Sequence, residues 1–248
     1  MNRLGSLVIV LSLSATPSFA QQLEREPPPA GEPKPQAYLP ENPVDYRVVL
    51  EPPPALGSME DEADRHSIEA EQSASAARRQ SATLDEQFVY SRFDEAFGHP
   101  IDRKSLPVLV KVLNRAMRDV GAAAFPAKDH FQRPRPYQRI QLRYVCGNAP
   151  PPKPEEHPTR GSSYPSGHGS GGWAVAMILA RVAPERAEAI LSRAAEYAES
   201  RVVCGKHFPS DVAAGHTIAA AVIARLDASP EFQHDLAEAR AELAKVGF

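Results

Sequence analysis

Ser105-Leu-Pro-Val-Leu-Val-Lys-Val-Leu-Asn-Arg-Ala-Met-Arg-Asp-Val120 is the stretch whose reading decides the fold. Leu106, Leu109, Val110, Leu113, Met117 and Val120 recur at the i, i+3, i+4, i+7 spacing of one helix face. The same period extends outward in both directions. Upstream, Ser58 with Asp61 three residues on forms a capping-box pattern, and a helix is predicted from there to about Ala82. A second is predicted from about Asp85 to Phe97, with Gly98 and Pro100 as its stop. Downstream, helices are predicted from about His168 to Val182, Glu185 to Val203, Pro209 to Leu226 and Pro230 to Val246. Residues 126–164 hold eight prolines and no sustained period, which predicts loops. No repeat of 20–50 residues is visible. The fold class is therefore all-α, a multi-helix bundle.

The chain divides into three parts. Residues 1–20 read as a signal peptide: Arg3 is positive, Leu4 to Ala15 is a short apolar run, and Ser18-Phe-Ala20 offers small residues for cleavage after Ala20. An uncleaved anchor is the alternative reading, but the run is short for a bilayer. Residues 21–57 are a Pro-rich arm, either free or laid as a strap on the body. Residues 58–248 form the helical domain. Cleavage removes one charge and leaves 27 basic against 31 acidic side chains, net −4. That balance argues against nucleic-acid binding. No run past residue 20 is long enough for stable membrane insertion, so a periplasmic or secreted location is expected. Cys146 and Cys204 allow one pairing; an oxidising compartment favours a disulfide over two buried thiols. They do not read as a zinc site, and no metal or other cofactor is implied.

Three segments concentrate cationic and imidazole groups: Lys128-Asp-His-Phe-Gln-Arg-Pro-Arg135-Pro136, Tyr164-Pro-Ser166-Gly167-His168-Gly169, and Ser200-Arg201-Val-Val-Cys-Gly-Lys-His207-Phe-Pro-Ser-Asp211. Ser166 and Gly167 sit at a predicted helix N-terminus, where free N–H groups attract anions. Lys128, Arg135 and Arg201 supply the charge a desolvated phosphate requires. His207 and Asp211, four apart, would lie one helical turn apart, the carboxylate orienting the imidazole for attack on phosphorus. His168 is the candidate acid for the leaving oxygen. Each segment alone is an ordinary loop, cap or surface helix end; their co-occurrence points to phosphoryl chemistry. Lys206 reads as a solvated charge, His130 as a packing residue, and His66, His99, His157, His216 and His234 as structural or surface groups. Trp173 and Met177 read as core. Loops 137–163 and 40–60 are expected to set specificity.

The pattern Lys-x6-Arg-Pro, Pro-Ser-Gly-His, Ser-Arg-x5-His-x3-Asp resembles the signature of the type-2 phosphatidic acid phosphatase superfamily, which includes vanadium haloperoxidases and bacterial class A non-specific acid phosphatases. The last group is the most similar, through Leu50–Ser58, Phe93–Gly98 and Ser200–Gly205, and the resemblance covers most of residues 40–228. It implies small-molecule phosphomonoesters as substrates, no required metal, and often a homodimer. It also implies that His207 takes the phosphoryl group, Asp211 orients it, His168 protonates the leaving group, and Lys128, Arg135, Ser166, Gly167 and Arg201 bind phosphate. Gly169 stands where that family commonly has Thr, and His216 where it has Arg. A vanadium haloperoxidase, a lipid phosphate or pyrophosphate phosphatase and a non-catalytic phosphate binder are the competing readings.

Overall fold

The computed structural model describes residues 35–247, apart from residues 42, 149, 152 and 154–160. The predicted leader, the first part of the Pro-rich arm and His157 lie outside the described residues. The fold is all-α, and among the described residues the only β pairing is an isolated bridge between Val145 and Asn148.

In chain order the helices are α1 (Tyr46–Val49), α2 (Met59–Glu71), α3 (Ala76–Leu84), α4 (Asp94–Phe97), α5 (Pro107–Phe131), α6 (Pro136–Arg139), α7 (Gly167–Val182), α8 (Ala187–Val203), α9 (Pro209–Asp227) and α10 (Pro230–Lys245). Short 3-10 turns precede α4 (Tyr90–Phe93) and α8 (Pro184–Arg186). The helix α7 is central, packing on α8, α9 and α5. Its small residues permit that. A Cβ on Gly172 would lie 2.6 Å from the Tyr197 ring of α8, and a Cβ on Gly215 of α9 would lie 2.7 Å from the Ser166 carbonyl. The apolar stripe of α5 is buried as its period predicts, from Leu109, Val110 and Leu113 through Met117 and Val120. Trp173 and Met177 are half-buried against the same core.

Three expected boundaries move. The first predicted helix is two, α2 and α3. Gln72 at the break pairs with both backbone groups of Tyr144 (2.8 and 3.2 Å), and Ser75 caps the new start. The predicted Asp85–Phe97 helix starts late: residues 85–89 are irregular and only Tyr90–Phe97 is helical, as a 3-10 turn and then α4, because Asp85 is wholly buried and clamped by Arg92, Arg193 and Ser200. Phe88, Phe93 and Phe97 are buried nonetheless, and Gly98, at φ +89°, stops α4. Finally, α5 does not end before Pro126. It continues to Phe131, so Lys128 is helical rather than in a loop. Pro126 and Ala122, whose carbonyl the ring deprives of a partner, are both exposed, while Ala123, Ala124 and Ala127 keep the buried face going. That burial outweighs a proline penalty of about 3 kcal/mol.

The described part of the Pro-rich segment is laid on the body. Tyr38 and Leu39 donate backbone N–H groups to the buried Asp119 carboxylate, both at 3.0 Å. The Tyr38 hydroxyl donates to Asp235 at 2.9 Å, and Arg115 lies 3.7 Å above its ring. Farther along, the Glu51 carbonyl accepts from the Tyr164 hydroxyl at 2.6 Å, which ties this strap to the segment that opens α7. No helix among the described residues is long and apolar enough to cross a membrane.

Candidate active site

Lys128 comes from the last turn of α5, Arg135 from the residue before α6, Ser166, Gly167 and His168 from the start of α7, and Arg201 from the last turn of α8. His207 lies between α8 and α9, and Asp211 is in the first turn of α9. All these side chains are buried or nearly so, with His207 only 1% exposed. Two backbone bonds join the segments: Ser163 N–H donates to the Arg133 carbonyl and Ser166 N–H to the Asp211 carbonyl, each at 2.8 Å. Gly205, at φ +64°, turns the chain between Arg201 and His207, and a Cβ there would collide with Leu142.

The cations converge on His207. Burial first, then the charges of Arg135, Lys128 and Arg201, hold its pKa well below the usual histidine value. Arg135 Nη1 donates to His207 Nε2 at 3.1 Å. A guanidinium can only donate, so Nε2 carries the lone pair and Nδ1 the proton. Nδ1 faces the Ser163 hydroxyl at 3.4 Å and the Asp211 carboxylate at 3.6 Å. His207 and Asp211 do not share a helix face, as their spacing suggested. Phe208 and Pro209 turn the chain between them, and Asp211 Oδ2 accepts the Phe208 N–H (2.7 Å) and the Ser163 hydroxyl (2.5 Å).

Burial also pushes the Lys128 ammonium down to about 7, with Arg135 and Arg201 adding to the effect; its Nζ donates to the Ser162 carbonyl at 2.9 Å. Burial lowers Arg201 to about 10. Among the described residues Arg201 Nε and Nη1 are buried without a hydrogen-bond partner, two donors suited to an acceptor. Ser166 caps α7 by accepting the Gly169 N–H at 3.1 Å. The His168 ring lies between Phe88, edge-on at 5.8 Å, and Tyr197, stacked at 5.9 Å, and its Nε2 meets the Glu86 carbonyl at 3.0 Å. Buried cations and helix-start N–H groups beside a neutral imidazole are the kind of arrangement that can hold an oxyanion.

Several residues that the sequence reading passed over complete the site. Arg133, inside the first motif, is 5% exposed and donates to Asp211 (2.7 Å), Asp64 (2.8 Å) and Ser210 (2.7 Å). Asp61 joins this network and is also held by Arg139 at 2.7 Å, which keeps its carboxyl down at about 2. Ser163 neighbours the second motif. Position within the first motif could have flagged Arg133, and adjacency to the second could have flagged Ser163; nothing in the local spacing marks Asp61, Asp64 or Glu86. Lys206 is not a freely solvated charge. It is partly buried and lies 3.4 Å from the Glu86 carboxylate. His130 packs against Tyr46 and Phe131, while His216 stacks on Trp173 at 4.3 Å. Gly169 has a packing reason: a Cβ there would come within 3.2 Å of the Val212 carbonyl. Cys146 and Cys204 form a disulfide, Cα atoms 4.8 Å apart, beside the segment that carries His207. Among the described residues one trio has metal-ligand spacing, His234, Asp235 and Glu238 on α10, and Asp235 is already engaged by Arg115 and Tyr38.

Residues 110–230 match the model of the PAP2 superfamily. The chain is 36% identical to a non-specific acid phosphatase of Providencia stuartii, over 86% of this chain and 87% of that protein. It is 34% identical to an acid phosphatase of Zymomonas mobilis, over 82% of this chain and 76% of the relative. It is 33% identical to a non-specific acid phosphatase of Salmonella typhimurium, over 83% of each.

Proposed function

The chain belongs to the PAP2 superfamily and is an acid phosphatase, and from that membership and the cage we propose that it hydrolyses phosphomonoesters of broad specificity through a phosphohistidine on His207. The observation that carries the proposal is the placement of Arg135 Nη1 on His207 Nε2. It marks a lone pair aimed into the space that the cations surround.

In the proposed reaction the phosphoryl oxygens take the donors of Arg201, Arg135 and Lys128, the N–H groups at the start of α7, and the Ser166 hydroxyl. Arg135 exchanges His207 Nε2 for a phosphoryl oxygen, which frees the lone pair. Nε2 forms the P–N bond as the ester P–O bond breaks, and the leaving oxygen keeps the electron pair and takes a proton from His168. Asp211, aided by Ser163, stabilises the charge that develops on His207 through Nδ1–H. In the second half His168 takes a proton from water, the new P–O bond forms, the P–N bond breaks, and phosphate leaves. No metal ion has a step to perform.

His207 is suited to acidic conditions because its depressed pKa keeps Nε2 unprotonated there. The relatives' names favour hydrolysis over peroxide chemistry. Export to the periplasm or medium, with cleavage after Ala20, belongs to the same proposal, as does a homodimer. The test is release of phosphate from p-nitrophenyl phosphate at acidic pH, in the presence of EDTA. Wild type is expected to turn over undiminished and His207→Ala to lose at least about a thousandfold, the scale of losing a nucleophile. Full activity in His207→Ala would refute the mechanism.

A further inference from the structure

Glu86 lies between α3 and the 3-10 turn at Tyr90, outside every sequence motif. Its carbonyl meets His168 Nε2 at 3.0 Å, while its carboxylate faces the cations: Oε1 is 3.4 Å from Lys206 Nζ and 4.0 Å from Arg201 Nη1. The Glu86 and Lys206 side chains are 25% and 18% exposed, against 6% for Arg201 and 2% for His207. This pair therefore marks the open side of the cage. Its other oxygen lies beside Gly147, where a Cβ would come within 2.9 Å.

We infer that Glu86 is a specificity-determining residue, which favours leaving groups carrying a positive charge near the ester oxygen and disfavours those carrying a negative one. The inference rests on the phosphohistidine reading, because the role of His168 fixes where the leaving oxygen sits. That oxygen must approach His168 Nδ1, since Nε2 donates to the Glu86 carbonyl, and the same residue carries the carboxylate that faces Arg201 and Lys206. Lys128, Arg135 and Arg201 face the phosphoryl group. Lys206 is matched by Glu86, which leaves no surplus cation for a second anionic group on the substrate. A unit charge about 5 Å from the carboxylate, at an effective dielectric of about 20, would feel a rate effect of about a hundredfold; opposition from Lys206 reduces it to about tenfold.

The experiment compares kcat/KM for 2-aminoethyl phosphate and carboxymethyl phosphate, with 2-hydroxyethyl phosphate as the neutral reference. The readout is the amino-to-carboxy ratio, so any general loss of rate cancels. Wild type is expected to prefer the amino ester by about tenfold or more. Glu86→Gln should lower the ratio by about tenfold, and Lys206→Gln should raise it. A wild-type ratio near unity, or one unchanged in Glu86→Gln, overturns the inference. If Glu86→Gln does not fold, failure of the ratio to rise in Lys206→Gln overturns it instead. If wild type hydrolyses none of the three esters nor p-nitrophenyl phosphate, the phosphatase reading itself fails, and the inference falls with it.

Discussion

Lys128 should make anion binding pH-dependent. Its pKa is pushed from 10.5 to about 7 by burial and by Arg135 and Arg201. An anion dianionic throughout the range, such as sulfate, opposes both causes and raises that pKa on binding. Below about pH 7 Lys128 already holds its proton and affinity is flat. Above it, each unit of pH leaves about a tenth as much of the free protein protonated, so binding must take up a proton. The dissociation constant for sulfate should then weaken by about tenfold per unit, reaching about a hundredfold by pH 9. In the free protein His207 is unprotonated across this window, its own pKa lying well below it. Titration calorimetry in buffers of different ionisation enthalpy reads both the affinity and the proton uptake. Lys128→Met should bind sulfate about ten to a hundred times more weakly at pH 6, the value of a hydrogen bond to a charged group, and lose the slope. A flat wild-type profile from pH 6 to 9, or an identical slope in Lys128→Met, would refute the reasoning.

Arg133→Met removes the cation shared by Asp211 and Asp64, leaving buried carboxylates undercompensated. A loss of about 3–5 kcal/mol is expected, read as a fall of about 6–20 °C in Tm. Gly215→Ala places a methyl 2.7 Å from the Ser166 carbonyl and 2.8 Å from the Ser170 nitrogen, both backbone, so α7 and α9 must part. Destabilisation of about 1–3 kcal/mol is expected by chemical denaturation, with reduced kcat because Ser166 and Asp211 are bonded across that contact. Reducing the Cys146–Cys204 bridge, which spans 58 positions, should cost about 4 kcal/mol and lower the melting temperature in dithiothreitol relative to buffer alone.

The long helices were legible because their apolar period is strong and their caps are local: α7 through α10 fall within a few residues of their predicted bounds. What failed was decided by distant partners. Asp85 draws Arg92, Arg193 and Ser200 from three places in the chain, and no local pattern reveals that its neighbourhood leaves the helix. Pro126 is a breaker by itself, yet an exposed carbonyl four residues back and a buried alanine face let α5 run through it. The site shows the same division. Three motifs hold the groups proposed to face the anion, because such chemistry admits few residue types. Arg133, Asp61, Asp64 and Ser163 hold those groups in position, and many residue types could do that, so their identity carries little signal. The Glu86 carbonyl acts through backbone alone, which sequence does not encode.

The most direct test of His207 as nucleophile uses His168→Ala with p-nitrophenyl phosphate, whose leaving group needs no acid. The first half-reaction should proceed while hydrolysis of the intermediate, deprived of its base, stalls. A burst of one equivalent of p-nitrophenolate is expected, with an acid-labile, alkali-stable phosphoryl group mapping by mass spectrometry to His207. Steady turnover without a burst, or a phosphoryl group on any other residue, would contradict it.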